Sequence, residues 1–282
     1  MRAASVSEAE LLTELHLAIE RDELSLLYQP KVAVADNRLA GVEALARWPH
    51  RTLGLVAPST FVPLAERYGL IDELTDWVLR RGLKQWVTWS EQGLRTNIAF
   101  NVSALSLRDV YFPDYLHRLC QTEGVPAECL TIEVTEGATQ HLVRLLDTLT
   151  RFRLKGMSLA LDDFGTGYSS LLQLRQLPYS ELKVDQCFVG EAVRSRESRL
   201  IVKAVIDLAH GLGLEATAEG IEDAETLALL ADLGCDQAQG YFIARAMEGW
   251  ELAPWLVEAD GDGVVPIAAG RRAGCSRAAQ GL

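Results

Sequence analysis

Nearly every segment of this chain with the pattern of a β-strand ends in a carboxylate, an amide or a lysine. In order these are Glu43 in AGVEALAR, Asn101 in NIAFNVS, Glu133 in LTIEVTE, Asp162 and Asp163 in MSLALDDFG, Lys183 and Asp185 in ELKVD, Glu219 in EATAEG and Gln239 in DQAQGY. Strand patterns over 25–34, 39–47, 97–102, 130–134, 158–162, 181–184, 215–218 and 238–242 alternate with helical patterns over 71–91, 106–122, 140–155, 169–177, 195–212 and 224–233. That alternation predicts βα units around a parallel sheet. Asp36-Asn37 between the first two strands is a hairpin signal, so the first strand is expected to run antiparallel to its neighbour. Eight strands suggest a closed α/β barrel. The competing doubly wound open sheet has no dinucleotide fingerprint here. Functional residues of a barrel gather at the C-terminal strand ends. Carboxylates converging there repel unless protons or metal ions neutralise them, which points to a metal-dependent enzyme.

Composition narrows the reading further. The length of 282 residues suits one barrel domain, and the formal net charge of −12 argues against non-specific binding to a nucleic-acid polymer. A phosphate-ester substrate would need cations to reverse the local field. Residues 1–23 are expected to form a lead-in helix or linker remnant, with Ser7 and Glu10 as a capping box, and an upstream sensor domain is expected in the full-length protein. Residues 24–256 form the expected barrel, and 257–282, rich in Gly, Ala and Arg, an expected disordered tail. The five cysteines lack CxxC spacing and read as reduced thiols of a cytoplasmic protein. The most apolar later stretch, 200–214, is broken by Lys203, Asp207 and His210, so no membrane segment is expected. None of the five histidines lies at an expected strand end, which disfavours zinc; oxygen ligands favour magnesium or manganese.

Each motif has a plainer alternative. Glu43, Leu45 and Arg47 share one strand face, so Glu43 and Arg47 could simply form an internal ion pair. Asp162 and Asp163 should point to opposite sides unless the strand twists or ends there, and could belong to an Asp-rich turn. Asp163-Phe164-Gly165 mimics a kinase magnesium motif, but no HRD loop accompanies it. Lys183 could orient a water or an oxyanion, or form a salt bridge to Asp185 or another acid. Asn101 could be a turn former, and Glu219 with Glu222 a charge pair at a helix N-terminus. The weight lies in so many oxygen ligands on consecutive strand ends.

In order, Glu43-Ala44-Leu45 with Arg47, Asn101-Val102-Ser103, Glu133-Val134-Thr135-Glu136, Asp162-Asp163-Phe164-Gly165-Thr166-Gly167, Lys183-Val184-Asp185, Ala218-Glu219-Gly220-Ile221-Glu222 and Gln239-Gly240-Tyr241 closely resemble the EAL domain family, phosphodiesterases for cyclic di-GMP, from about Leu24 to about Trp250. The resemblance implies a modified TIM (β/α)8 barrel with one antiparallel strand. It also implies hydrolysis of cyclic di-GMP to linear pGpG with two ions, Mg2+ or Mn2+. Glu43, Asn101, Glu133 and Asp162 are expected to hold one ion, and Asp162, Asp163 and Glu219 the other. Lys183 is expected to touch the attacking water, supported by Asp185, and Glu136 to hold the loop 165–170. Gln239 is expected beside the metals, with Gln29, Leu45, Arg47 and Tyr241 in the substrate pocket. A homodimer is implied as well. Gln186, Cys187 and Ala246 depart from the usual family residues without removing a ligand. The alternatives are a non-catalytic cyclic di-GMP receptor domain and another metal-dependent barrel, such as an enolase-like lyase.

Overall fold

A computed structural model describes residues 7–135, 142–165 and 171–258. Eight strands close into a ring. They are β1 (Ser25–Ala33), β2 (Leu39–His50), β4 (Asn97–Asn101), β5 (Leu130–Thr135), β6 (Ser158–Phe164), β7 (Glu181–Val184), β8 (Glu215–Ala218) and β9 (Gln237–Gln239), and a short β3 (Gly54–Val56) pairs with β2 outside the ring. The ring order β1-β9-β8-β7-β6-β5-β4-β2 is sealed by pairing of β1 with β2. As the hairpin signal requires, β1 is antiparallel to β2, and it is antiparallel to β9 as well, while the remaining ring pairs are parallel. Asn37 occupies the left-handed region at φ 58°, which a tight turn between such strands demands.

Helices α1 (Glu8–Glu20), α2 (Pro58–Tyr68), α3 (Ile71–Glu91), α4 (Phe112–Glu123), α5 (Leu142–Leu154), α6 (Leu171–Gln176), α7 (Gln186–Val189), α8 (Arg196–Gly211), α9 (Ala224–Leu233) and α10 (Leu252–Glu258) accompany the strands. The main core spans strands and helices alike, from Val32 and Ile98 to Leu182 and Val202. A smaller one joins Leu15 and Ala18 of α1 to Trp48, Phe61 and Leu74. The expected capping box on α1 is present, with Glu10 N–H donating to Ser7 Oγ at 3.3 Å and Ser7 N–H to Glu10 Oε2 at 2.8 Å.

Strand β2 runs on to His50, past the expected end at 47, and two further elements differ. The helix expected over 106–122 is split into a 3₁₀ turn at Ser106–Arg108 and α4, because Pro113 belongs in the first turn of a helix and disfavours helical backbone before it. The last strand stops at Gln239 and does not reach 242, because the chain turns at Gly240 to pack on residue 221. A Cβ on Gly240 would lie 2.2 Å from Ile221 N and O. The expected tail begins outside the described residues, apart from its first positions within α10. No helix among the described residues is long and apolar enough to cross a membrane.

Gly82 of α3 lets this helix lie directly on Phe100, the buried neighbour of Asn101. A Cβ there would sit 2.3 Å from Phe100 Cε1. Gly82→Ala gains about 1 kcal/mol of helix propensity, but overpacking costs about 1–3 kcal/mol. Urea unfolding is expected to show net destabilisation; a variant as stable as the parent would contradict this packing.

Candidate active site

The strand ends deliver their polar side chains to one mouth of the barrel. Parallel register places Asn101 beside Glu133 and Thr135 beside Asp162, and the β1–β2 hairpin places Gln29 opposite Glu43. At the centre stands Lys183 of β7, fully buried. Its Nζ lies 2.7 Å from Glu219 Oε1, 2.8 Å from Glu133 Oε2, 3.1 Å from Asp162 Oδ1 and 3.8 Å from Glu43 Oε2. Glu43 is clamped from both sides: Asn101 Nδ2 donates to Oε1 at 2.6 Å and Gln239 Nε2 to Oε2 at 2.7 Å. Gln239 also lies 3.3 Å from Gln29 Oε1, and Gln29 donates to the Ala244 carbonyl at 3.2 Å.

The vicinal acids show how local backbone builds the site. On a regular strand they would face opposite sides. Instead β6 shifts register against β7 between Leu161 and Phe164, and Asp163 adopts a left-handed φ of 57°. Asp163, Asp162 and Glu219 thereby bring carboxylate oxygens within 4.8 Å of one another. Left-handed backbone in a non-glycine residue costs about 1–3 kcal/mol and concentrates at functional sites. Asp185 does not pair with Lys183; it caps α7 through a 2.7 Å bond from Cys187 N–H and also hydrogen-bonds Asp163. The Glu43–Arg47 ion pair is likewise not formed: Arg47 Nη1 donates to the Ala46 carbonyl at 3.0 Å. Glu219 belongs to the buried cluster, whereas Asp223 caps α9. Glu136 and residues 166–170 lie outside the described residues.

Electrostatics follow from crowding four carboxylates around the Lys183 ammonium. Burial alone would lower the Lys183 pKa, but Glu133, Glu43, Glu219 and Asp162 outweigh it and hold the ammonium well above its ordinary range. Glu133 is pushed up by burial and by Glu43, more than Lys183 and Lys31 offset. Burial also raises Glu43, yet Lys183, Gln239 and Asn101 reverse the balance, and its pKa is lowered. Glu219 is raised to about 7, chiefly by burial and then by Asp162 and Glu43 against the pull of Lys183. Asp163 is raised to about 6 by burial, Asp162 and Asp185.

These residues fit divalent cations. The donors are hard oxygens, the acids repel one another, and Glu133 Oε1 and Gln239 Oε1 are buried without a hydrogen-bond partner. Two cavities flank the acids. One of about 800 Å³ has apolar walls, including Pro58, Val62 and Pro63 of α2 and Leu74 of α3, and also holds Arg47 and Glu66. The other, of about 240 Å³, is lined by Gln29, Gln186, Glu222, Gln239 and Tyr241. Leu45 and Asp162 border both. Tyr241 is exposed, with the Arg245 guanidinium 4.2 Å from its ring centre. Sequence reasoning missed the wall from α2; the only hint was the apolar pattern around Phe61.

Because Glu219 and Asp163 titrate above their ordinary 4.5 and 3.8, the folded metal-free protein binds more protons than the unfolded chain in that interval. The stability from these groups is complete below the ordinary values and is lost as pH rises through about 6 to 7. With chelator present, the urea unfolding free energy of the parent is expected to fall more steeply between about pH 5 and about pH 8 than that of Glu219→Gln. Equal slopes would contradict the shift.

A cyclic di-GMP phosphodiesterase of Pseudomonas aeruginosa is 42% identical over 248 residues, covering 87% of this chain and 42% of that protein. NbdA, a cyclic di-GMP phosphodiesterase of the same organism, is 39% identical over 245 residues, covering 86% of this chain and 31% of its own length. The chain thus spans less than half the length of these relatives. The solved PaMucR phosphodiesterase in complex with c-di-GMP superposes with a TM-score of 0.82 at 38% identity, covering 86% of this chain and 99% of that one. The sequence model of the EAL domain matches residues 12–246, and the chain belongs to the EAL domain family.

Proposed function

We propose that this chain hydrolyses one phosphodiester bond of cyclic di-GMP, giving linear pGpG, with two Mg2+ or Mn2+ ions held at the barrel mouth. The carrying observation is the set of Asp162, Asp163 and Glu219 oxygens within 4.8 Å of one another, between two cavities that share Leu45 and Asp162. A cyclic dinucleotide has a base on each side of its phosphates and would place one in each lobe. The phosphodiesterase names of the relatives and the c-di-GMP complex of PaMucR support the substrate.

Glu43, Asn101, Glu133 and Asp162 would hold one ion, and Asp162, Asp163 and Glu219 the other. Bound divalent ions polarise a phosphoryl oxygen and lower the pKa of a water. The chain's own residues supply the rest. Gln239 and Asn101 hold Glu43 in one orientation through its two oxygens. Lys183, fully buried among Glu133, Asp162 and Glu219, offsets the charge of these acids, and its ammonium would lie beside the attacking water. Asp185 fixes the turn after β7 and bonds Asp163, so its support of Lys183 is indirect. Arg47 would meet a substrate phosphate, Leu45 would separate the two lobes, and Gln29 and Tyr241 would line the smaller one. Glu136 is carried from the family pattern as the residue holding the loop 165–170. The barrel of residues 24–256 is the catalytic unit, with α1 packed against it. A cytoplasmic location, from the reading of the cysteines as reduced thiols, and dimerisation and an upstream sensor segment, from the family resemblance, complete the proposal.

Incubation with cyclic di-GMP and Mn2+ is expected to yield pGpG, and chelator to stop it. Unchanged nucleotide with tight binding would make the chain a receptor instead. Glu43→Gln and Lys183→Ala are each expected to lower turnover by about 100-fold or more. Glu43→Gln should also weaken Mn2+ binding; unaltered rates in either variant would refute the assigned role.

A further inference from the structure

The barrel interior carries a second buried ammonium that the reaction proposed above does not use. Lys31 of β1 is 3% exposed. Its Nζ lies 2.9 Å from Glu181 Oε1 and 3.8 Å from Glu133 Oε1. Glu181 Oε1 also accepts a 2.6 Å hydrogen bond from Thr217 Oγ1. The other oxygen of Glu133 accepts from Lys183 at 2.8 Å. Charges therefore alternate through the interior: Glu181, Lys31, Glu133, Lys183, then the acids of the mouth. Glu181 and Lys183 stand two residues apart on β7, so both project inward.

An ion pair this deep is a weak stabiliser, because desolving two charges consumes what their attraction returns. Well-packed apolar side chains of similar volume often do as well or better. The Lys31–Glu181 pair therefore calls for a role other than stability. Glu133 is 1% exposed, and its Oε1 has no hydrogen-bond partner. Lys31 lies too far from that oxygen for a hydrogen bond and near enough to attract its charge.

We propose that Lys31 is a positioning residue for the metal site. Anchored by Glu181, which Thr217 holds in turn, its ammonium fixes the Glu133 carboxylate from beneath. Glu133 then keeps its place when cations compete with Lys183 for it. The role rests on the reading of Glu133 as a metal ligand, and Lys31 touches neither nucleotide nor reacting atoms.

The test is the double variant Lys31→Met/Glu181→Leu, which removes the pair without leaving an unpaired charge. Mn2+ binding to nucleotide-free protein is followed by electron paramagnetic resonance, with urea unfolding alongside. The double variant is expected to unfold no more easily than the parent, yet to bind Mn2+ about 10–100-fold more weakly. Lys31→Arg, which keeps the charge, is expected to retain most of the affinity. A folded double variant with the parent's Mn2+ affinity overturns the role of Lys31 while leaving the proposed reaction standing. A parent that binds no Mn2+ overturns both. Should the apolar pair fail to fold, Lys31→Gln/Glu181→Gln carries the same comparison.

Discussion

The structure turns on a lysine that has no business being buried except among acids. Lys183 is fully enclosed and lies within 3.1 Å of Glu133, Asp162 and Glu219. Removing an ammonium from water costs several kcal/mol, and only close opposite charge repays it. The acids need the ammonium equally, since burial pushes Glu133 and Glu219 toward the protonated form. Neither partner tolerates the other's removal, so the ring of strands must hold them in register. The parallel pairing of β4, β5, β6 and β7 and the hairpin of β1 and β2 do this. Lys183 and Lys31 together do not balance Glu43, Glu133, Asp162, Asp163, Glu181 and Glu219, and that surplus of acids suits the mouth to divalent cations.

The backbone adds what side-chain chemistry alone would not. A plain strand end would send Asp162 and Asp163 apart. The bulge in β6 and the left-handed Asp163 turn them together and bring Glu219 within reach. Gly220, at φ 72°, lets the segment after Glu219 lie against α7, where a Cβ would come 2.4 Å from Gln186 Cβ. The same short helix is capped by Asp185, the hydrogen-bond partner of Asp163. The cluster and the wall of the smaller cavity are thus fixed by one turn.

Much of this was legible in the sequence, for definite reasons. The spans of α3, α9, β7 and β8 match their patterns residue for residue, because strong period and clear breakers such as Gly234 bound them. The acids and amides at the strand ends were legible as one group because parallel strands send their C-terminal ends to one side. Pair-level contacts were not. Arg47 shares a strand face with Glu43, yet Asn101 and Gln239 take both Glu43 oxygens. Lys183 and Asp185 are an i, i+2 pair, yet β7 ends at Val184 and Asp185 turns to cap a helix. Helix α2 was hidden because Pro58 and Pro63 break its helical signature, although Pro58 sits in the first turn, where proline is tolerated. It forms a wall of the larger cavity.

The most direct test of the account is where manganese sits. Crystals soaked in saturating Mn2+ and measured at its absorption edge should show two anomalous peaks at the barrel mouth. One should lie among Asp162, Asp163 and Glu219, and the other beside Glu43 and Glu133. No peak at these acids under saturating metal would contradict the central claim that they are a cation site.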